Sequence, residues 1–220
     1  MQCPNCQTFV RPKLRFTDIL VLKKDDTTLC PSCFESFERI DLEHCPNCYK
    51  PQEREQCLDC IAWDKKGHHV RHQSLYAYNQ AMKDYFSRFK FQGDYLLGQQ
   101  FKKELKEALG NYKEYTIVPI PISDARKELR RFNQVEALLD AAQVPYQSLL
   151  EKDDTLAQSS KSKKERLQTK QAFRLKKDVS LPQKILIVDD IYTTGQTLYL
   201  ATLLFQQHGV RDVKSFSLAR

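Results

Sequence analysis

The sequence predicts an α/β fold with a mostly parallel sheet, preceded by a small cysteine-rich domain. Three observations carry that reading. Ile185-Leu186-Ile187-Val188 is an unbroken apolar run, the pattern of a strand covered on both faces, as in a parallel sheet. Other strand-like runs, at 75–78, 115–121 and 213–218, alternate with segments of helical periodicity, the order expected of α/β proteins. All eight cysteines fall before residue 61, in four C-x-x-C pairs. The division expected is a cysteine domain over residues 1–62 and a larger domain over residues 63–220.

Composition narrows the class. A chain of 220 residues is long enough for one good core. Met1 is followed by Gln2, Cys3 and Pro4, with no apolar run of the kind that opens a secretory signal. No window reaches an uninterrupted apolar span of membrane length. The expectation is a soluble, cytoplasmic protein, where eight cysteines point to metal rather than disulfides. The net charge of +7 is uneven: residues 1–62 hold 8 Lys/Arg against 10 Asp/Glu, and the remainder 27 against 18. A surplus of +9 in the larger domain favours phosphates, on a small ligand or on nucleic acid.

The cysteines form the pairs Cys3/Cys6, Cys30/Cys33, Cys45/Cys48 and Cys57/Cys60. Each pair is a knuckle presenting two thiolates to one tetrahedral ion, so four pairs imply two Cys₄ zinc sites. Sequential pairing, first with second and third with fourth, makes two self-contained ribbons; an interleaved RING-like pairing is the alternative. Sites closed by four sulfurs are structural, folding a segment too short for its own core. His44, His68, His69 and His72 are not needed as ligands and read as exposed. Trp63 stands at the exit of this region and reads as a packing residue at the domain junction.

In the larger domain, Leu75-Tyr76-Ala77-Tyr78 reads as a first strand. Met82, Tyr85, Phe86 and Phe89 then recur at helical spacing, with Lys83 and Arg88 outward. The segment YFSRFKF has the look of a base-stacking platform, but its periodicity accounts for the aromatics as core. Lys90 to Asp94 reads as a turn, with Asp94 capping a helix that runs to Leu109 and ends at Gly110. Tyr115 to Pro121 is the next strand. After it come Arg126, Lys127, Arg130, Arg131, Phe132, Asn133 and Gln134. Cations at the positive end of a helix dipole are locally unfavourable, which points to an anionic guest.

Residues 153–171 are polar without apolar periodicity and read as a loop, of a length often used as a lid. Its Lys161, Lys163, Lys164 and Arg166 would close over pyrophosphate or grip a nucleic-acid backbone. Phe173-Arg174-Leu175 resumes ordered structure, Gly209 ends the last helix, and Val213 to Leu218 closes the sheet.

The central stretch is KILIVDDIYTTGQT, Lys184 to Thr197. A strand ends on Asp189 and Asp190; a hydroxyl-and-glycine turn of Thr193, Thr194, Gly195, Gln196 and Thr197 leads into an apolar helix. The helix start offers free N–H groups to a phosphate, and Gly195 permits close backbone approach. The carboxylates would accept from ribose hydroxyls, aided by hydrated Mg²⁺ on a pyrophosphate. This string resembles the 5-phosphoribosyl-1-pyrophosphate (PRPP) signature of type I phosphoribosyltransferases. There is no Gly-Lys-Ser/Thr of a Walker loop and no G-x-G-x-x-G.

The cysteine pairs, KFQGDYLLG, VPIP followed by RRFNQ, SKKERLQTKQAF and ILIVDDIYTTGQT, in that order, resemble the ComF family along essentially the whole chain. The resemblance implies a type I phosphoribosyltransferase-like domain behind a zinc module. It also implies a cytoplasmic protein needed for natural transformation, peripheral at the inner face of the membrane uptake machinery. Its partners would be a ComFA-type ATPase/helicase and incoming single-stranded DNA. By position, Asp189, Asp190, Thr193, Thr194, Gly195 and Thr197 would bind the ribose phosphate, and Arg130, Arg131, Lys163, Lys164 and Arg166 would face pyrophosphate. Two other functions fit the intact motif: an active phosphoribosyltransferase acting on a nitrogenous base, and a regulator that senses PRPP without turnover.

Overall fold

In the computed structural model, residues 2, 3, 5–9, 29–91, 95–152 and 172–220 are described. Strands β1 (His72–Tyr76), β2 (Thr116–Pro119), β5 (Lys184–Ile191) and β6 (Asp212–Ala219) form one sheet in the order β1-β6-β5-β2. All three pairings are parallel. A second sheet is the antiparallel hairpin of β3 (Leu150–Lys152) and β4 (Phe173–Leu175).

Alternation along β5 divides the core in two. Leu186 and Val188 face one side, with Phe216 and Leu218 of β6. They pack against Met82, Tyr85, Phe86 and Phe89 of α3 (Gln80–Phe91), against Leu105 and Leu109 of α4 (Lys102–Leu109), and against Leu138 and Leu139 of α6 (Gln134–Ala141). Ile185 and Ile187 face the other side, with Val118 and Val213, against Leu198, Ala201, Leu204 and Phe205 of α7 (Gln196–Gln207) and against the hairpin. The fully buried β5 run is the expected signature of a two-sided sheet, and the α3 aromatics are core as the periodicity requires. Between β2 and α6 lies α5 (Asp124–Arg130).

Several boundaries differ from the sequence reading. The first strand begins at His72, not Leu75. His72, read as exposed, is buried, because its ring bonds Ser215 at 2.9 Å, Ser74 at 2.8 Å and Ser217 at 3.1 Å. That hydroxyl set satisfies a polar side chain inside the sheet. His68 is half-buried, with its ring centroid 4.8 Å from that of Tyr199. The helix expected over 94–109 is a 3₁₀ segment, Tyr95–Phe101, followed by α4. Gly98 in it presses on α6: a Cβ there would meet the Ala137 carbonyl oxygen at 3.3 Å. The Asp94 cap falls outside the described residues. β6 does not close the sheet but lies inside it, paired on both edges.

Candidate functional site

The β5 ladder continues through both acids, with Asp189 opposite Ser217 and Ile191 opposite Ala219. The strand therefore carries the carboxylates to its end instead of stopping before them. Alternation sends them to opposite faces. Asp190 shares the α3 side, is 5% exposed, and meets the Lys90 ammonium at 2.6 Å. Lys90, in the last turn of α3, also lies 4.7 Å from the Phe86 ring centroid. Asp189, on the α7 side, accepts from the Asp190 backbone N–H at 2.9 Å and lines a small cleft with Thr193, Gly195, Gln196 and Thr197.

Burial and the adjacent Asp190 charge push the Asp189 carboxyl up to about 7. Its folded-state pKa thus lies above that of an unfolded Asp, about 3.9. The penalty for ionising it is absent below that lower value, grows as pH rises between the two, and is complete above about 7. Asp189→Asn should raise stability at pH 8 by about 1–3 kcal/mol, with the gain fading towards pH 4. Thermal melts of both proteins at the two pH values check this.

The turn after β5 is built to expose its amides. Gly195 has φ 78° and is the N-cap of α7; a Cβ there would sit 2.3 Å from the Tyr192 hydroxyl, so only glycine fits. The carbonyl of Thr193 accepts from Arg220 at 3.3 Å and that of Thr194 from the Trp63 indole at 3.1 Å. In a planar trans peptide the N–H points opposite to its C=O. The Thr194 and Gly195 N–H groups are thereby turned away from these two clamps. Thr193 and Thr194 are exposed, and Gln196 and Thr197 half-buried. Amides, hydroxyls and the start of a twelve-residue helix make an anion cradle.

Cations gather across from the acids. Lys152, at the end of β3, has its pKa lowered by burial and then by Arg126, with Asp189 and Asp190 opposing. Arg130 donates to Gln134 at 3.1 Å; burial and Arg126 lower its pKa, and the Asp190 charge opposes. Arg131 is the exposed, left-handed C-cap of α5, φ 66°. Of the RRFNQ stretch, Asn133 is architectural, capping α6 at the Val135 N–H (3.0 Å) and donating to the Ile120 carbonyl (3.1 Å). Lys161, Lys163, Lys164 and Arg166 lie outside the described residues. Lys90 and Lys152 were missed in the sequence; KFQGD was read as a turn, and the three-residue β3 carries no periodicity.

The cysteines assemble into two tetrads, Cys3/Cys6/Cys30/Cys33 and Cys45/Cys48/Cys57/Cys60, each with all four sulfurs within 4.8 Å of one another. Pairing is sequential, not interleaved. Sulfur separations include 3.6 Å (Cys6–Cys30), 3.5 Å (Cys48–Cys57) and 3.8 Å (Cys45–Cys60). Four thiolates at about 2.3 Å from a tetrahedral zinc lie about 3.8 Å apart, so both tetrads fit that ion. The second tetrad is fully buried and runs into the first turn of α2 (Leu58–Asp64), which holds Cys60 and has Cys57 as its N-cap. A shorter helix, α1 (Pro31–Glu35), follows Cys30 in the first. Trp63 on α2 packs against Tyr199 of α7, ring centroids 4.8 Å apart.

No protein-family model matches the chain. Among the described residues, no helix is long and apolar enough to cross a membrane. The chain is 48% identical over 220 residues, the full length of both, to a protein of Streptococcus pneumoniae named competence protein ComFC. It is 34% identical over 210 residues to competence protein ComFC of Bacillus subtilis, covering 91% of this chain and 88% of that one. Over 189 residues it is 27% identical to competence protein F of Haemophilus influenzae, covering 76% and 79%. With both tetrads and the Asp-Asp strand turn in place, the full-length identity settles the assignment: the chain belongs to the ComFC family of competence proteins.

Proposed function

We propose that this chain is a competence protein for natural transformation, assisting internalisation of single-stranded DNA beside a ComFA-type ATPase, through a domain that binds PRPP. The observation that carries the ligand is the juxtaposition at the end of β5. Asp189 lines a cleft with the amide-presenting turn, Asp190 pairs with Lys90 on the other face of the same strand end, and Lys152 and Arg130, with Arg126 beside them, feel the charge of the acids. In this reading the Thr193–Thr197 turn holds the 5-phosphate, Asp189 and Asp190 accept from ribose hydroxyls, and the cations neutralise pyrophosphate. Mg²⁺ would supply further charge neutralisation at the pyrophosphate. The basic surplus of the larger domain supports phosphate-rich partners, DNA included.

A second reading is phosphoribosyl transfer. The cations beside the acidic pair suit a departing pyrophosphate: the anomeric C–O bond would break and a bond to a ring nitrogen of the acceptor would form. Pyrophosphate release on adding nucleobases separates this from PRPP sensing without turnover.

The test is genetic. In a naturally transformable host lacking this gene, wild type should restore transformants. The Asp189→Asn/Asp190→Asn variant, at equal protein level, should restore them at least about 100-fold less, as loss of two charge-assisted contacts implies. Full rescue by the double variant would detach the site from DNA uptake. A deletion without phenotype would remove the competence role.

A further inference from the structure

We propose that Trp63 and Arg220 are positioning residues through which the metal of the second cysteine tetrad, and not that of the first, sets the shape of the phosphate turn. The proposal rests on the phosphoribosyl reading of that turn. It makes metal loading of one tetrad a determinant of ligand affinity.

The wiring is short. α2 has seven residues and starts at the metal knuckle Cys57–Cys60. Its buried face is Cys60 and Trp63, three apart and hence on one side of the helix, while Leu58 is 80% exposed. So short a helix owes its buried hold to two thiolates and one indole, its other ties being Gln56 and His69 to Asp64 and Arg220 to Asp59 at its exposed side. That indole donates to the Thr194 carbonyl at 3.1 Å. From the same knuckle, the Asp59 carboxylate lies 3.7 Å from the Arg220 guanidinium. Arg220 in turn donates to the Thr193 carbonyl and sits 4.4 Å from the Tyr192 ring centroid. Tyr192 is the residue that backs Gly195. The other knuckle joins at Asn47, whose carbonyl accepts from the His72 N–H at 2.9 Å; the His72 ring centroid lies 4.3 Å from that of Tyr192.

Both carbonyls that aim the turn's amides are thus held by groups that touch one knuckle: Trp63 sits on α2 itself, and Arg220, whose backbone is fixed by Tyr76 at the end of β1 and by Tyr78 beyond it, pairs with Asp59. The first tetrad belongs to the opposite half of the core, with α3, where Arg88 donates to the Asn5 side chain at 3.2 Å. The second shares its half with Tyr192 and Leu198. Without its ion, α2 loses the anchor that orients Trp63 and Asp59; the turn loses its indole clamp, and Arg220, still held by β1 and Tyr192, loses its acid.

Trp63 is the single tryptophan, so its fluorescence reports on this contact directly. The full-length, zinc-loaded protein would be compared with Trp63→Phe, Cys6→Ser and Cys48→Ser by metal content and calorimetric titration with PRPP and Mg²⁺, and the proteins that keep Trp63 also by its emission. Trp63→Phe keeps a six-membered aromatic ring beside Tyr199 and deletes the rest of the indole with its N–H donor. It should retain two zinc ions and a single cooperative melt, somewhat lowered by the smaller ring, while binding PRPP about fivefold more weakly, the size of one lost neutral hydrogen bond. Cys6→Ser should hold one zinc and bind PRPP like wild type; Cys48→Ser should hold one zinc and bind at least about tenfold more weakly. Adding zinc back to stripped protein should shift Trp63 emission in Cys6→Ser and leave it unmoved in Cys48→Ser. Wild-type affinity in Trp63→Phe, or equal weakening by the two cysteine variants, overturns the coupling. A wild type that binds no PRPP overturns the ligand reading instead, and the emission response then decides the coupling alone: a shift confined to Cys6→Ser upholds it, and equal responses in the two variants overturn it.

Discussion

Stripping the metal should cost this protein a large part of its stability. Structural zinc in small modules contributes apparent binding free energies of about 10–16 kcal/mol, much of it expressed as folding. Here the second tetrad is buried with Trp63, Val70 and Leu198 in one half of the core. Its loss therefore reaches beyond the ribbon. A net loss of about 5 kcal/mol would lower the melting temperature of a chain this size by about 10–20 °C. Chelation at neutral pH followed by calorimetry measures it, and restored zinc should restore the transition. Proton release accompanies loading, because burial pushes the metal-free Cys48 thiol up to about 12. Zinc affinity should accordingly fall as pH falls. An unchanged melt after complete metal removal would show that the ribbon folds on packing alone.

The second large effect concerns Lys90 and Asp190, whose side chains are 16% and 8% exposed and 2.6 Å apart. Removing one partner of a buried pair leaves an uncompensated charge, at about 3–5 kcal/mol. Asp190→Ala should therefore destabilise by about 3 kcal/mol. Adding Lys90→Met should recover most of that, since two apolar groups replace the pair. Denaturant melts of the four proteins in this cycle give the coupling directly. A coupling near zero would mean that the pair is solvent-screened and that Lys90 is free of its acid. In the intact protein Lys90 neutralises Asp190, so the strand end does not hold two adjacent uncompensated carboxylates.

How much of this was legible follows from how far apart the partners lie. The tetrads are set by C-x-x-C spacing, and their sequential pairing is the locally simplest one. The strand, acids, glycine turn and helix of the PRPP-type string are contiguous, so periodicity and residue type locate them. Gly195 was singled out for close approach, and the structure adds a second reason in the Tyr192 hydroxyl. What failed was tertiary. Lys90 and Asp190 are far apart in sequence, and Trp63 and Thr194 are separated by 131 residues. Neither pairing has any local signal. His72 was misjudged because a histidine followed by Gln73 and Ser74 does not read as a buried strand; the Ser74 hydroxyl of its own strand and those of Ser215 and Ser217 on β6 make that burial tolerable. The 3₁₀ entry to α4 is likewise a packing outcome, set where Gly98 meets α6.

The end of β5 is proposed above as a phosphoribosyl site. The most direct measurement is calorimetric titration of the zinc-loaded protein with PRPP in the presence of Mg²⁺, beside Asp189→Asn/Asp190→Asn. Saturable binding at one site is expected in the wild type, and at least about 100-fold weaker binding in the variant, at equal zinc content and at a temperature where both proteins are fully folded. Absence of binding in the wild type, or equal affinity in the two proteins, would contradict it.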